Sequence, residues 1–230
     1  MTQQPISRRC AYRVVALALL PLLLAGCASH PAPPEWQSNA QSALKSFSAT
    51  YLRGDTHHAE QDFAHAREQI ASTGRADLIA RAELVRCATR VASLEFDGCA
   101  GYAPFAADAS DAERSYAAYL TGHWNRLNAA LLPPQHRAIV QIAPGADAVS
   151  LLSSMDDPLA RLVAAGSLLQ AGRLSPSVYL IATDTASSQG WRRPLLAWLG
   201  VRLQQAQQRG DAATAAALQR RIALVAPASR

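Results

Sequence analysis

Residues 51–66 read YLRGDTHHAEQDFAHA, and this stretch carries the signals that decide the fold. Gly54 ends one helical segment, since glycine readily adopts the conformation with which many helices stop. Asp55 follows directly and can cap the next helix, because its carboxylate accepts hydrogen bonds from free backbone N–H groups. The stretch therefore predicts two helices joined by a short turn, the first over residues 36–53 and the second reaching about residue 72.

Helix-period segments separated by Gly, Pro and Asp continue along the chain and predict further helices. They cover residues 76–94, 111–120, 159–171, 177–187, 194–209 and a last segment capped by Asp211. Residues 96–108 read as a long loop, and residues 124–132 are expected to continue or restart the preceding helix. The IVQI run within residues 136–143 is compatible with a strand or a buried helix. Strand signals are otherwise scarce, so the predicted fold is all-α, an array of antiparallel helical hairpins over residues 35–230.

The spacing of apolar residues in the predicted helix over residues 76–94 indicates which of its sides is buried. One stripe, with spacings of 3, 4 and 3 residues, is formed by Leu84, Cys87, Val91 and Leu94. The opposite side carries Glu83, Arg86 and Arg90, and is expected to face solvent.

Two of the predicted hairpins resemble tetratricopeptide repeats. Ala59, Phe63 and Ala66 follow Gly54 at offsets 5, 9 and 12, the small, large and small positions through which helices of such repeats pack. In the last hairpin the matching positions are Gly210, Ala215 and Pro227, but Gln219 occupies the large-residue position. The middle of the chain shows no period of about 34 residues. The resemblance implies a tetratricopeptide-like array, and an irregular α-solenoid is the alternative.

The N-terminal 27 residues, MTQQPISRRCAYRVVALALLPLLLAGC, combine a basic start with an apolar run of about 11 residues. This run is too short to span a membrane and is typical of a secretory signal. Its end, Leu24-Ala25-Gly26-Cys27, resembles the lipobox of bacterial lipoproteins. The resemblance implies a signal peptide over residues 1–26, an acylated Cys27 and a Pro-rich tether to residue 34. An ordinary secretory signal with an incidental cysteine is the alternative.

The same resemblance implies a cellular location. Ala28 stands where Asp marks inner-membrane retention in many such lipoproteins, so we expect an outer-membrane lipoprotein that faces the periplasm. Several acyl chains, palmitate among them, would give stable anchoring in the membrane. Of 22 basic residues, three precede Cys27, which leaves 19 against 17 acidic ones. This small excess argues against a nucleic-acid partner.

Four cysteines are present. The lipoprotein resemblance implies that Cys10 would be removed with the signal peptide and that Cys27 would be acylated. The remaining Cys87 and Cys99 form an even pair in an oxidising compartment, which predicts a structural disulfide. A redox role or two free thiols are the alternatives, although a Cys-x-x-Cys motif is absent.

Other constellations are weaker. His58, Asp62 and His65 share a helical face and could hold a divalent metal, but an exposed polar face explains them equally. We find no nucleophile elbow, zinc-protease motif or phosphate loop, so we predict neither an enzyme nor a cofactor. A pair of adjacent acids, Asp156 and Asp157, is explained by the start of a helix.

Aromatic residues concentrate between positions 96 and 124. They can form a patch for a partner or glycan, with Tyr102 and Phe105 as candidate binding residues, or they can anchor the long loop. Trp191 and Trp198 are expected in the core. The function expected from this organisation is a scaffold or adaptor for a cell-envelope component, because stacked helices offer an extended binding surface. An enzyme or binding lipoprotein that acts on peptidoglycan or an envelope glycan is the alternative.

Overall fold

The computed structural model describes residues 33–143 and 146–226, and within these ranges no residue lies in a β-strand. The described helices are α1 Glu35–Arg53, α2 Thr56–Ala71, α3 Ala76–Ala92, α4 Asp111–Leu120, α5 Pro134–Arg137, α6 Val149–Ser153, α7 Pro158–Gln170, α8 Pro176–Ser188, α9 Arg192–Gln208 and α10 Ala212–Val225. None of these helices is both long and apolar enough to cross a bilayer. The all-α prediction is confirmed. The predicted signal peptide, the lipobox and most of the tether lie outside the described residues.

The turns between paired helices follow the predicted capping chemistry. Gly54 adopts a φ of 97°, and Asp55 Oδ1 accepts a hydrogen bond from His58 N at 3.1 Å. Asp211 caps α10 in the same way, since its Oδ1 accepts from Thr214 N at 3.0 Å. The Gly-Asp pairs at residues 54–55 and 210–211 therefore each end one helix and start the next.

Two clusters of buried side chains make up the core. The smaller one lies between α1, α2 and α3, where the ring centroids of Phe47 and Phe63 are 5.2 Å apart. Ala59 and Ala66 are fully buried beside them. The positions at which the first hairpin resembles a tetratricopeptide repeat are thus packing positions in this structure.

The larger cluster joins helices that are far apart in sequence. α3 packs against α7 at Gly166, where a Cβ atom would overlap the Val91 carbonyl oxygen and lie 2.9 Å from Val91 Cγ1. Trp198 of α9 is fully buried, and its indole N–H donates to the Ala92 carbonyl at 3.3 Å. α9 also contacts α1. Contacts between the two halves of the chain therefore hold the N-terminal and C-terminal helices together.

The prediction was wrong in detail between α4 and α7. Residues 124–132 do not continue α4 but form two single-turn 3-10 helices, Trp124–Arg126 and Ala129–Leu131. The IVQI run is neither a strand nor an α-helix, because its first residues form the 3-10 turn Ile139–Gln141, in which Ile139 is fully buried. The proline pair that starts α5 breaks this segment into short pieces.

Candidate functional site

The loop that follows α3 is tied back onto that helix. A disulfide joins Cys87 to Cys99, with their Cα atoms 5.1 Å apart, as the parity of the cysteines predicted. Arg90 Nη1 pairs with Asp97 Oδ2 at 2.9 Å, and Asp97 Oδ1 accepts from Cys99 N at 3.0 Å. Leu94 adopts a φ of 58°, a left-handed conformation that is uncommon for such a side chain. The disulfide and the ion pair between Arg90 and Asp97 thus tie the loop to α3.

Reduction of this disulfide is expected to lower the free energy of unfolding by about 3 kcal/mol, because the bridge restricts the unfolded chain. Thermal unfolding followed by circular dichroism should therefore show a lower midpoint in the presence of reductant. A double variant, Cys87→Ala with Cys99→Ala, is the control and should no longer respond to reductant. A wild-type midpoint that reductant leaves unchanged would contradict the prediction.

The two candidate partner-binding residues lie mainly inside the protein. Tyr102 is only 8% exposed and belongs to the larger core cluster. Phe105 is half-buried, contacts both core clusters, and has the Arg67 guanidinium 5.6 Å from its ring centroid. These positions favour the interpretation that the aromatic residues anchor the loop. Of the aromatic group, Phe96 is an exception, with an exposed side chain.

The side of α3 that was predicted to face solvent is covered at one position. The Glu83 side chain is 1% exposed, and Arg67 Nη1 of α2 donates to its Oε1 at 2.7 Å. On the loop side, a Cβ atom at Gly101 would overlap Glu83 Oε2. The expectation of a solvated face is therefore wrong for Glu83, whereas Arg86 and Arg90 are half-buried.

Burial of this carboxyl has an electrostatic consequence. Desolvation raises the pKa of Glu83, although the positive charges of Arg67 and Arg86 act in the opposite direction. Glu83 and Asp97 line a polar cavity of about 230 Å³ beside the disulfide. Each of these two acids already has an arginine partner. The cluster therefore holds helices and loop together, and its carboxyl groups are engaged in that role.

A second ion-pair group fastens α9 to α1. Arg193 Nη1 lies 3.0 Å from Glu95 Oε1, and Arg193 Nε donates to the Tyr51 carbonyl at 2.8 Å. The Tyr51 hydroxyl donates to Glu95, and burial, followed by the nearby carboxylate, raises the pKa of Tyr51. The contacts of Arg193 with Tyr51 and Glu95 join residues 142 and 98 positions apart in the chain.

The metal candidates on α2 are used for local contacts. His58 Nδ1 lies 2.6 Å from Asp55 Oδ2, and Asp62 Oδ2 accepts from Ser46 Oγ at 2.7 Å. His65 is exposed. Within residues 33–143 and 146–226, no group of three or more His, Cys, Asp or Glu side chains is placed to hold a metal ion.

A buried histidine lies in α5, within the segment between α4 and α7. His136 is almost fully buried, its Nδ1 lies 3.2 Å from the Tyr119 hydroxyl, and its ring centroid lies 5.0 Å from that of Tyr119. Burial lowers the pKa of His136 to about 4, because the charged imidazolium is poorly solvated there. The side chain is therefore neutral at the pH of most environments.

Because the pKa of His136 is lowered, we expect the stability of the protein to depend on pH. Between pH 6.5 and about pH 4 the unfolded chain binds a proton that the folded chain does not. The free energy of unfolding should thus fall by about 3 kcal/mol as the pH is lowered through this window, and the contribution is fully present above it. Urea unfolding at a series of pH values measures how steeply the free energy of unfolding changes with pH. His136→Gln should flatten this dependence, while His65→Gln, at an exposed position, should not; equal slopes in all three proteins would contradict the assignment.

A mainly apolar groove, which we call the α3–α4 groove, opens beside α3 and α4. Its walls are Leu84 and Val85 of α3, Tyr116 of α4 and the segment from Leu131 to Pro134, and its volume is about 420 Å³. This volume lies within the range of sites that hold small ligands, and the lining resembles theirs in being apolar with a few polar groups. Leu131, at the rim, is 39% exposed.

Three charged side chains border the α3–α4 groove. Glu113 is nearly buried, pairs with Arg81 Nη2 at 2.9 Å, and accepts from Ser110 N at 2.8 Å within the capping box of α4. Arg137 is exposed; its Nε donates to the Leu132 carbonyl, and among the described residues it forms no ion pair. The groove therefore offers an apolar floor with one uncompensated positive charge near its end.

No known protein family, curated protein or solved structure matches this chain. The α3–α4 groove was also missed in the sequence, since residues 124–132 were expected to be helical. The signal that could have indicated it is Leu131-Leu132-Pro133-Pro134, because two apolar residues before a proline pair mark an extended segment.

Proposed function

We propose that the chain is a lipid-anchored adaptor of the bacterial envelope, facing the periplasm from the outer membrane, which binds a segment of another envelope protein in the α3–α4 groove. The anchor is inferred from the likeness of Leu24-Ala25-Gly26-Cys27 to a lipobox. The observation that carries the binding role is the open apolar groove beside the rim residue Leu131. Helical scaffolds commonly use such surfaces to hold peptide segments of their partners.

The charges around the groove indicate what kind of segment fits. Leu84, Val85 and Tyr116 form a surface that suits apolar side chains of the bound segment. Burial of those ligand side chains would supply most of the binding energy. Arg137 can pair with an acidic side chain or a terminal carboxylate of the bound segment, while Arg81 is already paired with Glu113. The expected ligand is therefore a short apolar segment with at least one acidic group.

The alternative, an enzyme or binding lipoprotein that acts on peptidoglycan or an envelope glycan, has less support. Its best location is a cavity of about 520 Å³ beside Asp156 and Asp157. Both aspartates are exposed, and Asp157 Oδ1 is used as the N-cap of α7, where it accepts from Leu159 N at 2.9 Å. Neither carboxyl is held in a position that favours acid–base catalysis.

A pair of matched substitutions tests the adaptor role. Leu131→Arg places a charge at the rim of the α3–α4 groove and should reduce partner capture from detergent-solubilised envelope by about tenfold or more. Leu224→Arg introduces the same change on α10, where the side chain is 86% exposed, and should leave capture intact. Both variants should keep the wild-type melting temperature, since both positions are exposed. Equal capture by the two variants would contradict the proposal.

A further inference from the structure

The two parts of the helical chain differ strongly in charge. Residues 35–157 contain ten basic and fifteen acidic side chains. Residues 158–226, which form α7 to α10, contain eight arginines and only two aspartates. Such an asymmetry commonly accompanies an interaction with an anionic partner. The small excess of positive charge in the whole chain therefore conceals a strongly basic C-terminal part.

One cavity within this basic part collects arginine side chains without an acid. It lies between α8, α9 and α10 and has a volume of about 270 Å³. Its polar lining consists of Arg202, Arg209, Ser177, Gln205 and Thr214. No carboxylate is present among its lining residues, and neither arginine forms an ion pair with any described residue. This arrangement contrasts with α3, where Arg81, Arg86 and Arg90 each have an acidic partner.

Two acids lie at the edge of the cavity and accept hydrogen bonds from its lining residues. Asp147 Oδ1 accepts from Ser177 Oγ at 2.7 Å, and Asp211 accepts from the Thr214 backbone N–H as the N-cap of α10. Arg202 lies in unfavourable surroundings: desolvation, followed by the positive charge of Arg221, lowers its pKa, and Asp184 offsets this only in part. A bound anion would supply the missing negative charge.

We propose that the cavity between α8, α9 and α10 binds a phosphate-bearing anion, which Arg202 and Arg209 contact from the same face of α9. Guanidinium groups are suited to this ligand because their planar N–H donors match the oxygen atoms of a phosphate. Tyr179, Leu180 and Leu218 form an apolar wall beside the two arginines, and Leu180 is exposed. The wall has room for the organic part of a phosphate ester. A membrane lipid headgroup and a soluble phosphate can both supply this chemistry.

The full chain, purified in a neutral detergent, allows the two sources to be separated. Inorganic phosphate and the short-chain lipid dihexanoylphosphatidylglycerol are titrated separately by calorimetry at constant ionic strength. Competition between the two probes shows whether the phosphate group alone is recognised. Binding of the lipid without binding of phosphate assigns part of the recognition to the apolar wall. Either result supports the site if the variants below respond as expected.

Arg202→Gln and Arg209→Gln should each weaken binding of the probe by about tenfold, the equivalent of one charge-assisted hydrogen bond. Arg220→Gln removes the same charge from an exposed position of α10 outside the cavity and should leave binding unchanged. Arg209 is exposed, so its variant is expected to fold even if the Arg202 variant does not. Absence of binding by both probes, or the same loss in all three variants, would overturn the proposal. The test is independent of the α3–α4 groove.

Discussion

Trp198→Ala is expected to lower the free energy of unfolding by about 3–5 kcal/mol, the largest effect of any substitution considered for this protein. Trp198 is fully buried in the larger core cluster, and its ring centroid lies 6.3 Å from that of Tyr179. Its indole N–H also donates to the Ala92 carbonyl at the end of α3. Truncation would therefore remove a large apolar side chain, leave a cavity, and break a buried link between the two halves of the chain.

Urea unfolding followed by circular dichroism measures this loss. Trp191→Ala is the matched control, because Trp191 immediately precedes α9 and is half-buried at the edge of the same core. It should lose clearly less stability than the Trp198 variant. Equal losses in the two variants would mean that Trp198 does not link α9 to the end of α3 as described.

Glu83→Ala is expected to destabilise the protein by about 3 kcal/mol, because it leaves the positive charges of the cluster without their buried partner. Arg67 would lose its 2.7 Å contact, and a cavity would open against Gly101. Glu83→Gln should cost much less than the alanine variant. Burial raises the pKa of this carboxyl, so a neutral side chain of the same shape resembles the form that burial favours.

The matched control is Glu60→Ala, which removes the partner of Arg86 at a distance of 2.7 Å. This ion pair is considerably more exposed, so its loss should cost at most about 1 kcal/mol. Chemical unfolding of the three variants measures how much free energy of unfolding each substitution removes. If Glu83→Ala cost no more than Glu60→Ala, the cluster would not depend on burial of Glu83.

Local signals explain why the paired helices could be predicted. The sequence predicts that Gly54 ends α1 and that Asp55 caps α2, and both do so in the structure. The prediction was possible because each residue acts within one turn of the chain. The disulfide between Cys87 and Cys99 was predictable for a similar reason, since the two residues are only 12 positions apart.

Contacts between distant segments explain what could not be predicted. Glu83 lies on the polar side of α3, but α2 and the loop after α3 cover it there. Nothing within the sequence of α3 indicates where α2 and this loop lie. The close approach of α3 and α7 at Gly166 likewise depends on residues 75 positions apart. The α3–α4 groove belongs to this class, because its walls come from α3, from α4 and from the segment that contains Leu131.

We propose that the α3–α4 groove holds a partner from the envelope, and photo-crosslinking in living cells tests this role most directly. A photoreactive amino acid is introduced at Leu131, at the rim of the groove, and separately at Leu224, on the exposed side of α10. We expect one discrete covalent adduct with an envelope protein from position 131 and none from position 224. No adduct at position 131, or the same adducts at both positions, would contradict it.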